Sequence, residues 1–259
     1  MEFYQIYLWG LAIIVGFMTL LWIVSVFKKN VSIVDPFWGT LFVILAWFYF
    51  IQIPEHSLRS YILLTLVSIW GIRLSIFLGR RNAGKGEDFR YQQFRKDYGP
   101  ERYWWISYFQ TFLLQGILAW LISAPLLGAQ KGLNADFGII DIIAIFIWII
   151  GFIFEAGGDY QLSKFKSKPE NKGKLLTTGL WKYSRHPNYF GDGFQWIAFA
   201  LFSIANQCYL PILSAVLMNF LLLKVSGVKL LEKTLSKSKP GYEEYVRKTP
   251  AFFPWIPKK

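Results

Sequence analysis

The sequence predicts an all-α polytopic membrane protein. It is a single domain over residues 1–259, a bundle of seven transmembrane helices with the N-terminus outside and the C-terminus cytosolic. Three observations predict this. Of 259 residues, 54% are hydrophobic and 19% aromatic, and mean hydropathy is +0.34. Seven apolar segments, 5–27, 34–53, 60–79, 107–127, 138–158, 189–205 and 209–223, approach the ~20 residues that a helix needs to cross a bilayer core. Of the 28 basic residues, 25 lie in alternate connections, which the positive-inside rule places in the cytosol.

The first segment is long, with no basic residue before it and no small-residue cleavage pattern after it. It is expected to stay as a helix and not to be removed as a signal peptide. Lys28 and Lys29 then begin the cytosolic side. Asp35-Pro36 opens the second segment. Asp favours helix caps and Pro the next position, so Asp35 is either a helix start or a carboxyl turned inward. The third segment holds Arg73 with Trp70 and Phe77 on one helical face, continued by Arg80 or Arg81. Arg73 either snorkels to the interface or grips a phosphate or carboxylate in bidentate fashion. Arg59 and Lys131 are the only basic residues expected outside.

The fifth segment ends on Glu155 and Asp159, spaced i, i+4 on one face. They either mark a helix end in the headgroup layer or flank a hydrogen-bond donor. The sixth is preceded by Tyr183-Ser184-Arg185-His186-Pro187-Asn188-Tyr189 and carries Asp192. Asn188 is expected to cap it, with its N-terminal amides offering an anion site. Asp141 is expected near the outer face. The other five intramembrane ionisable groups, Asp35, Arg73, Glu155, Asp159 and Asp192, gather toward the cytosolic ends. Because charge in a membrane is costly, that clustering points to a site.

Composition narrows the function. Net charge is +12, which the cytosolic loops account for, so no nucleic-acid partner is expected. Cys208 is the single cysteine, and with two histidines no metal site is expected. There is no P-loop and no GxGxxG run. The expected partners are the lipid bilayer and a hydrophobic small molecule.

The run Gly179-Leu180-Trp181-Lys182-Tyr183-Ser184-Arg185-His186-Pro187-Asn188-Tyr189 resembles a signature shared by membrane sterol reductases and isoprenylcysteine methyltransferases. The stretches Glu155–Leu162 and Lys166–Pro169, with the tail Tyr242-Glu243-Glu244-Tyr245 to Trp255, resemble the steroid 5-alpha-reductase family. The runs Val34–Gly39 and Gly86-Glu87-Asp88-Phe89-Arg90-Tyr91 are similar to its prokaryote-rich branch. The resemblance covers roughly residues 30–257 and favours a bacterial plasma membrane over an endoplasmic reticulum.

The resemblance implies a seven-helix reductase that uses NADPH on an activated carbon–carbon double bond in a steroid-like or other lipid enone. It implies that Glu155, Asp159, Tyr183, Arg185, His186, Asn188, Tyr189 and Asp192 line the cofactor. Arg73, with Arg80, Arg81 and Arg95, would reach its phosphates or ribose. Asp35 would stand near the family's catalytic Glu, with Trp38 and Trp70 at the substrate. Trp70 takes the place of the family's catalytic Tyr, and a Trp N–H cannot act as a general acid. The acid is then Asp35, kept protonated by burial, or another donor such as Tyr91 or a water. Two alternatives share parts of the pattern: an S-adenosylmethionine-dependent lipid or isoprenoid methyltransferase, and a non-enzymatic membrane binder.

Overall fold

The computed structural model is helical throughout its regular structure and contains no strand among the described residues, which are 1–225, 227, 228, 232, 235 and 239–258. Of the expected basic tail, Lys229, Lys233, Lys237 and Lys259 lie outside them. Among the described residues, five helical stretches are long and apolar enough to cross a membrane: Phe3–Lys28, Val31–Gln52, Leu58–Asn82, Pro100–Gly128 and Ile139–Lys166. Helices also occupy the other two apolar segments. One carries Asn188, Asp192 and Gln195, and the other, Ile212–Val225, is shorter. The chain is a multi-pass membrane protein. It divides into two compact units, one of Met1–Phe137 with Asn206–Tyr209, the other of Gly138–Ala205 with Leu210–Lys259.

Unit one begins with α1 (Phe3–Lys28), which ends on Lys29 in the left-handed conformation. A 3-10 turn, Val31–Phe37, follows, and the Asn30 side chain caps it by accepting from Ser32 N at 2.9 Å. Asp35 therefore sits inside this turn and caps no helix, which corrects the helix-start expectation. Next come α2 (Trp38–Gln52) and α3 (Leu58–Asn82), the latter capped by Ser57. They cross at Gly39 and Gly71, where a methyl on either glycine would strike the other's backbone. Close approach through small residues is how membrane helices gain packing when lipid is as apolar as their side chains.

Beyond α3, α4 (Phe89–Tyr98) is capped by Asp88, and α5 (Pro100–Ser107) has proline in its first turn. A π-helical turn, Tyr108–Leu113, leads into α6 (Leu114–Ile122) and α7 (Ala124–Gly128). Asn206 Nδ2 donates to the carbonyls of Gly128 and Ala129, and its Oδ1 accepts from Asn134 N. Arg59, fully buried, donates to the carbonyls of Asn134 and Asp136. One of the two basic residues expected outside is thus a loop lock.

Unit two is built on α8 (Ile139–Lys166) and α9 (Pro187–Ala205). Toward the outside α8 exposes Ile139, Ile142, Phe146, Ile150 and Ile153, and it buries Asp141, Glu155 and Asp159. Apolar residues outward and charge inward is the pattern lipid demands. Asp141 accepts from Gly138 N at 2.9 Å and so starts the helix. Most of α9 is buried, and it begins at Pro187, with Asn188 already inside its first turn. That corrects the expectation that Asn188 is the cap. Proline suits this first position because the amide it lacks is one of the helix's unpaired donors. The helices α10 (Ile212–Phe220), extended by a π-turn to Val225, and α11 (Tyr242–Lys248) complete the unit.

Contact between α8 and α9 is closest at Gly151 and Gly191. A Cβ on Gly191 would meet Gly151 O and Glu155 N, which are backbone atoms that cannot swing aside. Gly191→Ala is expected to lower the thermal midpoint, costing about 1–3 kcal/mol of overpacking despite alanine's better helix propensity. Gly16→Ala on α1, with nothing within 4 Å of the added methyl, is expected to be neutral or stabilising. Parallel thermal denaturation in detergent tests the pair, and an unchanged Gly191→Ala midpoint contradicts the packing.

Candidate functional site

Unit one places Asp35 at the centre of a hydrogen-bonded cluster. Its Oδ2 accepts from Arg90 Nη2 at 2.9 Å and its Oδ1 from the Tyr91 hydroxyl at 2.7 Å. Arg90 Nε also donates to Asp88 Oδ1 at 2.9 Å. The loop that delivers these groups is fastened to the 3-10 turn at two points. Glu87 accepts from Val31 N at 2.8 Å, and Asp88 N donates to the Ser32 hydroxyl. Arg95 forks onto Glu87 through Nε at 3.0 Å and Nη2 at 2.9 Å, a bidentate geometry that arginine favours.

Charge in the cluster is mutually fixed. Burial pushes the Tyr91 hydroxyl's pKa well above its usual range, and the Asp35 carboxylate pushes it further. Burial works against the Arg90 charge, but Asp88 and Asp35 outweigh it and raise the pKa of the guanidinium. Burial works upward on Asp88 too, yet the hydrogen bonds and charge of Arg90 carry its carboxyl below its usual value. With both Asp35 oxygens accepting, Tyr91 is the neutral proton-bearing group at this point.

The other expected residues of unit one are dispersed. Trp70 is fully buried against Phe42, with ring centroids 5.6 Å apart. Trp38 is half-buried and meets the same Phe42 edge-on at 5.3 Å. Arg73 is half-buried along α3. Arg80 and Arg81 are exposed in its last turn, where cations suit the helix C-terminus, and Arg81 donates to Asn82.

Unit two gathers most of the remaining expected residues along the α8–α9 contact. Each buried acid of the i, i+4 pair receives its own amide. Gln195 Nε2 donates to Glu155 Oε2 at 2.6 Å, and Asn188 Nδ2 donates to Asp159 Oδ1 at 3.1 Å. The donor that the two carboxylates need thus comes from α9. Asp192 is buried on the same helix. Trp181 Nε1 donates to Gly158 O at 3.1 Å and pins the Gly179–Lys182 turn to α8.

The Ser184–Asn188 run is laced to the C-terminal segment. Arg185 Nε donates to Glu232 Oε1 at 2.9 Å, and Nη1 donates to the carbonyls of Val246 and Thr249. Its own amide donates to Pro250 O at 2.9 Å. Ser184 Oγ donates to Phe252 O, Tyr245 to Trp181 O, and Trp255 N to Tyr183 O. The Arg185 guanidinium, expected at the cofactor, is directed here to protein groups. Tyr183 is partly exposed. His186 is 2% exposed, stacks on Tyr189 with centroids 5.8 Å apart, and has Nε2 3.5 Å from Glu232 Oε1.

Sequence reasoning missed Arg90, Gln195 and Glu232 as members of these clusters. Gln195 had a signal, an amide one turn beyond Gly191 in an apolar helix. Arg90 had one beside the Asp88 cap. Glu232 is 47 residues from Arg185 and carried none.

Burial pushes the His186 imidazole down to about 4, against an opposing pull from Glu232. The unfolded chain takes up this proton as pH falls below about 6.5, whereas the folded chain refuses it until about 4. Stability therefore falls with falling pH across that window, by up to ~3 kcal/mol. His186→Gln is expected to flatten the pH dependence of the melting temperature between those limits. An identical slope in the variant removes His186 as its source.

Comparison with known proteins gives three findings. A family described as "Protein of unknown function (DUF1295)" matches residues 21–249. An uncharacterised protein of Schizosaccharomyces pombe is 29% identical over 261 residues, covering 90% of this chain and 75% of its own length. The mouse 3-oxo-5-alpha-steroid 4-dehydrogenase 1 is 31% identical over 61 residues, 24% of each chain. No solved structure matches.

Proposed function

Because the chain belongs to the steroid 5-alpha-reductase-like DUF1295 family, we propose that it is an NADPH-dependent membrane reductase of an activated carbon–carbon double bond in a hydrophobic enone. The observation that carries this reading is the Tyr91 hydroxyl held against Asp35. Enone reduction needs a hydrogen-bond donor where negative charge develops on the carbonyl oxygen. Trp70 at the family's tyrosine position cannot fill that role, and Tyr91 can.

The residues of unit two suit the cofactor's sugar and ring. Glu155 and Asp159 are acceptors for ribose hydroxyls, each steadied by an amide. His186, kept neutral by burial, and the Tyr189 ring stacked on it offer flat faces. In this proposal Arg185 holds the C-terminal segment against the motif and leaves the cofactor contacts to His186, Asn188 and Asp159. NADPH would supply a hydride to the β-carbon of the enone.

The chain's own residues do the rest. Tyr91 turns its hydroxyl from Asp35 to the substrate carbonyl and donates a hydrogen bond as the enolate forms. Asp35, itself anchored by Arg90, holds the phenol in readiness until the substrate takes the hydrogen bond, and aromatic side chains hold the apolar body of the substrate. The β-carbon gains the hydride, and the enolate is then protonated at the α-carbon by water, which completes the reduction.

Tyr91→Phe is expected to bind NADPH as the wild type does and to lose about 10²–10³ in kcat. Asp35→Asn is expected to lose less, because an amide oxygen still accepts from Tyr91. NADPH oxidation driven by an accepted enone measures both. Wild-type turnover by Tyr91→Phe sinks the assignment.

The proposal also takes seven crossings with a cytosolic C-terminus. The motive is the 25-to-2 division of basic residues between the two sets of connections. Reporter fusions after Lys131 and after Lys259 are expected on opposite sides of the membrane, and fusions reporting the same side overturn that topology.

A further inference from the structure

Beyond α11 the chain forms a closed loop over residues 249–258. It is shut where Lys258 N donates to Lys248 O at 2.9 Å, and it is pinned where Trp255 N donates to Tyr183 O at 3.0 Å. Between these points Phe252 is buried with Phe190 and Val228. Its ring would lie 3.4 Å from a Cβ on Gly193. Gly193 comes six residues after Pro187, so the loop reaches ~9 Å along α9 from the start of that helix.

The loop is made for lipid more than for water. Phe253, Trp255 and Ile256 are 66%, 75% and 74% exposed. The Phe253 ring meets that of Phe190 with centroids 6.0 Å apart, so the exposed patch continues from the apolar side chains of α9. The backbone is adapted in the same sense. Pro250, Pro254 and Pro257 carry no N–H. Pro250 O accepts from Arg185 N at 2.9 Å, and Phe252 O accepts from Ser184 Oγ at 2.8 Å. Lipid contact favours a chain with few open backbone donors and acceptors. Cations stand at the base of the loop. Lys248 and Lys258 carry the closing hydrogen bond, and the Lys182 carbonyl accepts from Thr249 Oγ1 at 3.3 Å. All three lysines are exposed. The acids of α11, Glu243 and Glu244, lie in its first turn. Glu244 pairs with Lys248 at 3.0 Å, but an exposed pair of this kind is weak and leaves the cation open to a stronger anion.

We infer that the 249–258 loop docks on the bilayer surface and recognises anionic lipid. Phe253, Trp255 and Ile256 enter the boundary between headgroups and acyl chains, while Lys182, Lys248 and Lys258 meet the anionic headgroups. Aromatic and apolar side chains at headgroup level, with lysines beside the lipid phosphates, are how interfacial segments hold a membrane. The same loop accepts from Ser184 and Arg185, so lipid contact braces the run that leads into α9. This docking needs no cofactor and stands apart from the reductase reading.

Fluorescence quenching of the full-length protein in lipid nanodiscs tests the docking. Cys208 is the single cysteine, so Cys208→Ala with Ile256→Cys offers one position for a thiol-reactive fluorophore on the loop. Cys208→Ala with Lys172→Cys places a reference label at an exposed position in the α8–α9 connection. A nitroxide-bearing phospholipid quenches labels in the bilayer, and aqueous acrylamide quenches labels in water. In discs of phosphatidylcholine with about one-third phosphatidylglycerol, the loop label is expected to be quenched by the nitroxide lipid and shielded from acrylamide. The reference label is expected to show the reverse. Replacing phosphatidylglycerol by phosphatidylcholine is expected to weaken lipid quenching of the loop label about twofold or more, and combined Lys182→Glu, Lys248→Glu and Lys258→Glu to do the same in the anionic discs. A loop label reached by acrylamide and not by the nitroxide lipid overturns the docking. One reached by neither is covered by protein and overturns it as well. Lipid quenching indifferent to both phosphatidylglycerol and charge reversal overturns the recognition of anionic lipid. Should Ile256→Cys fail to fold, the same label through Phe253→Cys decides.

Discussion

Unit two depends on one close backbone contact, Gly151 against Gly191. It brings α8 and α9 near enough for short side chains to bridge them. Asn188 reaches Asp159 and Gln195 reaches Glu155. A carboxylate in a membrane interior is tolerated only when it is paired or hydrogen-bonded. A larger residue at either glycine would part the helices and strain the bonds from Asn188 and Gln195 to those acids. The same two glycines that supply packing therefore also make a buried acidic face possible.

Unit one solves a related problem with a loop. The α2–α3 crossing at Gly39 and Gly71 fixes the scaffold. The segment before α4 is then fastened to the 3-10 turn through Glu87 and Asp88. The result is a carboxylate whose two oxygens are both committed, one to a cation and one to a phenol. A charge-assisted pair of this kind is stronger than a neutral one, and it orients the Tyr91 hydroxyl.

Much of the architecture is legible in the sequence because lipid enforces long apolar runs. All seven such runs are helical. The i, i+4 pair Glu155–Asp159 reads directly as one helix face, and the structure buries that face. What is not legible is partner choice. Asp35-Pro36 carries the local signature of a helix start, yet Asn30 takes the cap and Asp35 is claimed by residues 55 and 56 positions away. Asn188 has the chemistry of a cap but follows Pro187 into the first turn. Arg185 reads as an anion ligand, and its guanidinium is directed to Glu232 and the carbonyls of the C-terminal segment. Each of these outcomes is set by contacts distant in sequence, which local spacing does not encode.

The central claim is that unit two is built for a reduced nicotinamide dinucleotide and not for a methyl donor, although the Arg185–Tyr189 run is common to both kinds of enzyme. A ligand that binds the folded state raises its melting temperature in proportion to the logarithm of its concentration above Kd. The most direct measurement is the thermal shift of the purified protein titrated in parallel with NADPH and with S-adenosylmethionine. The account predicts a saturable, concentration-dependent rise with NADPH and none with S-adenosylmethionine. A rise with S-adenosylmethionine and none with NADPH would contradict it.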